Sequence, residues 1–147
     1  SNLIVTLGRF PNLKLENAGR ALNRGWEGNA RWSPRPGIRL NAGYAWLHST
    51  NLSPLVPEHK WNYSVDVDAR RAFFHLAATT VGRRWADTSR SRQLGGYTLA
   101  TLKCTVPAQR HWSVHVMLDN LLNRRYEVLP GYPMPGLNAM GGLSLQF

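Results

Sequence analysis

Five histidines, His48, His59, His75, His111 and His115, and two closely spaced aspartates, Asp66 and Asp68, are the residues whose types suit metal binding or proton transfer. Only His111 and His115 share a predicted strand face. Four residues of strand rise separate them by ~13 Å, too far for one ion. Asp66 and Asp68 fall on one face at ~7 Å, a separation compatible with an acid and a base, although a salt-bridge network explains the pair more simply. Ser64 and Ser113 lie in no nucleophile-elbow context, and no glycine-rich loop opens a helix to cradle phosphate. Cys104 is the sole cysteine, so neither an internal disulfide nor a thiolate metal site can form. The expectation is a protein that is not an enzyme and has no cofactor and no metal site.

The elements that hold these residues are strands. From His111 to Asp119 the apolar residues take every second position, Trp112, Val114, Val116 and Leu118, against His111, Ser113, His115, Met117 and Asp119. The same period of two recurs in Leu3 to Leu7, Arg20 to Trp32, Ile38 to Trp46, Trp61 to Ala69, Phe74 to Arg84, Gly96 to Val106 and Leu137 to Phe147. That makes about eight strands. In the Gly96 to Val106 segment the preferred phase puts Ala100, Leu102, Cys104 and Val106 outward and Lys103 inward, because the opposite phase places a lysine in lipid. The inward positions carry charge: Glu27, Asp66, Asp68 and Asp119 stand ready to pair with Arg31, Arg39 and Lys103 in a lumen network.

Connection lengths turn these strands into a topology. Turns at Ser33 to Gly37, Ala69 to Ala72 and Pro107 to Arg110 are short, whereas Gly8 to Gly19, Leu47 to Lys60, Trp85 to Gly95 and Asn120 to Gly136 are long. Short and long connections alternate. An all-β, transmembrane antiparallel up-and-down β-barrel, with its long loops at one rim, has this pattern. Aromatics near strand ends, including Trp26, Trp32, Trp46, Trp61, Tyr97 and Trp112, suit the two membrane interfaces.

Composition agrees with this and narrows the partners. Hydrophobic residues make up 43% of 147 residues, yet no run approaches the ~20 apolar residues of a spanning helix. The net charge of +10 comes from 18 Lys and Arg against 8 Asp and Glu. The arginines are spread along the chain and gather in predicted loops, which argues against a nucleic-acid reader. Arg83, Arg84, Arg90 and Arg92 bracket one such loop and are candidate contacts for lipopolysaccharide or another anion. Two alternatives are a self-contained eight-stranded barrel filled by its own side chains, acting as anchor or narrow pore, and a soluble basic β-barrel that binds an anionic ligand.

The segment Asn120-Leu121-Leu122-Asn123-Arg124-Arg125-Tyr126-Glu127, then Gly131-Tyr132-Pro133-Met134-Pro135-Gly136 and a strand closing on Phe147, resembles the C-terminal end of TonB-dependent outer-membrane receptors, most closely the cobalamin and catecholate-siderophore group. Arg24-Gly25-Trp26-Glu27, Val56-Pro57-Glu58-His59-Lys60-Trp61-Asn62 and Leu94-Gly95-Gly96-Tyr97-Thr98-Leu99 agree in order and spacing. The resemblance implies a bacterial outer-membrane location, uptake of a siderophore or corrinoid by the full receptor, and a lipid and lipopolysaccharide surround. It further implies that Leu143, Leu145 and Phe147 form the signal read by the barrel-assembly machinery. Family barrels have about 22 strands, a plug domain and a TonB-contacting segment. Residues 1–147 are therefore expected to be a single barrel domain or barrel segment without plug or TonB-contacting segment, to which other strands or chains are added if a larger barrel is completed.

Overall fold

The computed structural model describes residues 2–7, 14–20, 22–49, 54–109 and 111–145 of the chain. Thirteen strands follow one another: β1 (Asn2–Leu7), β2 (Lys14–Arg20), β3 (Asn23–Arg35), β4 (Ile38–Ser49), β5 (His59–Ala69), β6 (Ala72–Val81), β7 (Arg84–Trp85), β8 (Gln93–Leu94), β9 (Tyr97–Gln109), β10 (Trp112–Asp119), β11 (Glu127–Leu129), β12 (Tyr132–Pro133) and β13 (Asn138–Leu145). Seven of them make one antiparallel sheet in the order β13-β10-β9-β6-β5-β4-β3. The remaining six form three hairpins, β1 with β2, β7 with β8 and β11 with β12.

Alternation in the sequence becomes two faces because directly paired residues share a side. The register carries one apolar row from Trp32 through Leu40, Val65, Leu76 and Leu102 to Leu118. Cys104 stands beside Phe74 and Val116, and Lys103 lies on the opposite face beside His75, which is the preferred phase for β9. The apolar face is open: Leu76 is 44% exposed and Leu143 70%. Leu94 is the only buried hydrophobic residue among the described residues, so no dry core exists for a soluble sandwich to be built around. A face of this kind needs hydrocarbon in place of water. Aromatics mark its two ends. Trp26, Tyr44, His59 and Trp61 cluster near the long-loop end, with Tyr44 5.1 Å from both Trp26 and Trp61, while Trp32, Phe74 and Trp112 lie toward the short turns.

The turns explain the hairpins. Pro36 fixes φ and Gly37 adopts φ of 81°, so the link between β3 and β4 is two residues long, and Pro34 and Arg35 belong to β3 beyond a register shift. Arg70, with φ of 47°, and Arg71 join β5 to β6. The long connections, 50–58, 82–96 and 120–137, all leave the same end of the sheet.

One expectation is corrected: Lys14–Arg20, read as part of a loop, is a strand, and it pairs with Asn2–Leu7. Of the two forms expected, a closed small barrel or part of a larger barrel wall, the described residues fit the second, since their large sheet is not closed. Among the described residues β3 and β13 are the sheet's two edges. Phe147 lies outside the described residues; Leu143 and Leu145 face outward on β13, opposite Val114 and Trp112.

Candidate functional site

Charged residues of the inner face meet where the register puts them side by side. Arg39, Asp66, His75 and Lys103 occupy four consecutive strands in one row. The Asp66 carboxylate, 16% exposed, lies 2.6 Å from His75 Nδ1 and 3.6 Å from Arg39 Nε. A carboxylate so shielded needs such partners. The next row is uncharged in its links: Arg31 Nε donates to Asn41 Oδ1 at 3.0 Å, and Asn41 Nδ2 donates to Ser64 Oγ at 2.9 Å. Asp119 accepts a hydrogen bond from Thr101 Oγ1 at 2.6 Å. His115 lies 2.7 Å from Ser144 Oγ and 3.1 Å from Thr105 Oγ1.

The residues expected on the lumen wall are placed as follows. Asp66 and Arg39 pair directly, with Lys103 one strand beyond His75. Glu27, Asp68 and Asp119 make no ion pair among the described residues, and Arg31 turns to an amide instead. His75 was missed as Asp66's nearest partner. The signal for it was present, since both residues sit on inward positions of strands joined by a short turn. Against this face the sheet forms an open polar groove of about 760 Å³, whose lining includes Arg31, Asn41, Asn62, Asp66, His75 and Thr79.

At the rim, the long loops hold one another. The Leu55 amide donates to the Trp85 carbonyl at 2.7 Å. Arg84 is 4% exposed; its Nη2 donates to the carbonyls of Glu127 at 2.5 Å and Val128 at 3.3 Å, and its guanidinium lies 5.2 Å from the centre of the Tyr97 ring. Tyr126 packs on Tyr97 with ring centroids 4.4 Å apart, and burial there pushes its phenol up, with the nearby Tyr97 and Asp119 adding to the effect. Arg92 Nη2 reaches Glu127 Oε2 at 3.1 Å. Arg84 is therefore a brace for the 127–128 backbone rather than a surface contact for lipopolysaccharide, and Arg92 is tied to Glu127. Arg83 and Arg90 stay exposed.

Two asparagines and one aspartate shape the loops. Asn120, 3% exposed with φ of 50°, donates Nδ2 to the carbonyls of Arg124 and Pro135, each at 3.0 Å, and its Oδ1 accepts the Arg124 amide at 2.9 Å. Asn123, φ 45°, accepts the Leu137 amide at 3.1 Å. Asparagine is suited to both tasks, since it tolerates the left-handed region and bonds its own backbone. Asp87 gathers the Ser91 hydroxyl at 2.6 Å, the Ser91 amide at 2.9 Å and the Ser89 hydroxyl at 2.8 Å. These bonds, led by the Ser91 hydroxyl, hold its carboxyl down at about 2.

The family described as TonB dependent receptor-like, beta-barrel matches residues 1–121. The siderophore receptor PirA from Acinetobacter baumannii is similar in structure at a TM-score of 0.74 and 17% identity, over 100% of this chain and 26% of that one. The ferric yersiniabactin uptake receptor FyuA from Yersinia pestis is similar at 0.72 and 26% identity, over 88% of this chain and 24% of that one. The copper transporter OprC is similar at 0.82 and 16% identity, over 99% and 27%. The chain spans about a quarter of the length of these structures. No curated protein matches it.

Proposed function

Since the chain belongs to the TonB-dependent receptor β-barrel family, we propose that it forms a stretch of receptor wall whose long loops help capture an iron chelate or a corrinoid for uptake. It resides in the bacterial outer membrane, surrounded by lipid and lipopolysaccharide. The observation that carries the proposal is the two-faced sheet: an apolar outer face, a hydrogen-bonded polar inner face, and the connections that follow β4, β6 and β10 at one rim. Leu143 and Leu145 on edge strand β13, with Phe147, serve in this reading as the handle for the barrel-assembly machinery. Glu27, Arg31, Arg39, Asp66, Asp68, Lys103 and Asp119 polarise the lumen wall, and exposed Arg83 and Arg90 meet lipopolysaccharide.

Ligand titration of the chain in outer-membrane vesicles tests this, read through tryptophan fluorescence with Trp85 at the rim as reporter. A ferric catecholate, a corrinoid and a copper salt are the probes. Saturable quenching by the first or the second supports the proposal. A response to copper alone, or to none of the three, overturns the ligand class.

A further inference from the structure

Between the 82–96 and 120–137 connections lies a cavity of about 280 Å³, lined by Arg92, Arg124, Arg125, Tyr126, Glu127 and the Gln93–Gly96 segment. Three arginines and one glutamate are among the lining residues. That carboxylate is committed, since Glu127 Oε2 accepts from both Arg92 Nη2 and the Gly131 amide. Arg124 and Arg125 make no ion pair among the described residues. Their backbone is nevertheless fixed, because Asn120 clasps the Arg124 amide and carbonyl at once. Fixed backbone beneath two unneutralised arginines makes a preorganised cationic pocket, since the chain is already ordered before a ligand arrives.

Arg84 does not line the cavity but helps fix its frame: it sits in strand register with Leu94 and donates to the carbonyl of Glu127, both lining residues. The pocket also lies on the lumen side. Tyr97 is paired with Val81, and Val81 with Lys60, all on the inner face, and Tyr126 packs on Tyr97. Ligands that enter from the aqueous mouth reach it more directly than lipid does.

We propose that this cavity binds a phosphate group, with Arg124 and Arg125 as its principal donors and Arg92 as the third. Guanidinium forks match the paired oxygens of phosphate, and a dianion makes use of more than one of them. Loop residues Arg83 and Arg90 do not line the cavity and are excluded from the site. The site is independent of whether the receptor's transported ligand is an iron chelate or a corrinoid.

The test is calorimetric titration of the folded full chain in zwitterionic detergent, with pyrophosphate as a free anion in one arm and purified lipopolysaccharide in the other. Saturable pyrophosphate binding that falls by roughly tenfold or more in R124Q/R125Q, and is unchanged in R71Q, a change at an exposed arginine of the short β5–β6 turn, supports a solute site. Lipopolysaccharide binding that the same double substitution weakens and pyrophosphate displaces supports the site with a lipid phosphate as its occupant. Gly95→Glu is the second variant. Gly95 lines the cavity and a Cβ on it meets nothing within 4 Å, so a side chain is tolerated there, and the added negative charge beside the arginines is expected to weaken binding while folding is retained. No binding by either probe, or equal loss in R71Q and R124Q/R125Q, overturns the proposal, since the second result is what general surface charge produces.

Discussion

Leu76→Arg and Ala77→Arg differ by one position along β6 and should behave as different experiments. Leu76 sits near the middle of the ten-residue strand, flanked across the sheet by Val65 and Leu102, and its side chain is 44% exposed on the apolar face. Arginine there meets hydrocarbon near the midplane, at a cost of ~2–4 kcal/mol. Tenfold per ~1.4 kcal/mol converts this to a folding equilibrium constant reduced by roughly 30- to 1,000-fold. Ala77 points to the inner face and lines the polar groove near Asp66 and His75. A charge there keeps water and an acidic neighbour, so the change expected is within ~0.5 kcal/mol. Both chains are refolded from urea into phosphocholine vesicles, and the folded fraction is read from heat-modifiable gel mobility across a denaturant series. Both carry the same sheet edges, so any contribution from unpaired backbone cancels in the comparison. Equal losses at the two positions refute the two-face assignment, and a greater loss at position 77 inverts it.

Three further outcomes follow from the loops and the inner row. Asn120→Ala removes three side-chain hydrogen bonds from a buried site and leaves φ of 50° to a residue without asparagine's tolerance of the left-handed region, costing about 2–4 kcal/mol; limited proteolysis should then cut within 120–137 while β-sheet circular dichroism is kept. Asn120→Gly, which accepts that φ, should be milder. Asp66→Asn leaves His75 and Arg39 without their shared anion, and a double-mutant cycle with Arg39→Gln should show coupling of no more than ~1 kcal/mol, because Arg39 is 58% exposed at its side chain. For Asp87 the folded-state value of about 2 lies below the usual carboxylate range, so its contribution is complete above about pH 4 and fades as the pH falls toward 2. Protection of the Ser91 amide, taken relative to its intrinsic exchange rate at each pH, should therefore persist at pH 4 and fall only near pH 2; early loss at pH 4 contradicts the capping assignment.

Strands and faces were legible because period two is a direct image of the pleat. It marked the seven strands of the sheet and settled the phase of β9 through the placement of Lys103. It failed at Lys14–Arg20, where Leu15 and Ala18 are the only apolar residues and do not alternate. The hairpins β7–β8 and β11–β12 are two or three residues per strand, too short to show any period. Nor could composition separate Arg84 from Arg83. One is buried on carbonyls and a ring and the other exposed, a distinction made by distant residues 97, 127 and 128. The sequence did carry a hint of the 120–137 architecture in Asn120 and Asn123, the residue type that most readily enters the left-handed region after glycine. The inner-face pairing of Asp66 with His75 depends on register, which turn length alone leaves open by one or two residues.

The ties across the long-loop rim bear on kinetics. Residues 54–58 are pinned to 85, residue 84 to 127 and 128, and residue 92 to 127. Displacing one connection drags the others, so the rim behaves as a stiff collar instead of three separate flaps. A collar set before a ligand arrives has little ordering entropy left to lose at capture. Encounter is then governed by diffusion and access through the mouth, and residence time by the contacts the ligand itself makes. Cutting one tie, as in Arg92→Gln, should loosen the whole ring and slow arrival as well as hasten departure.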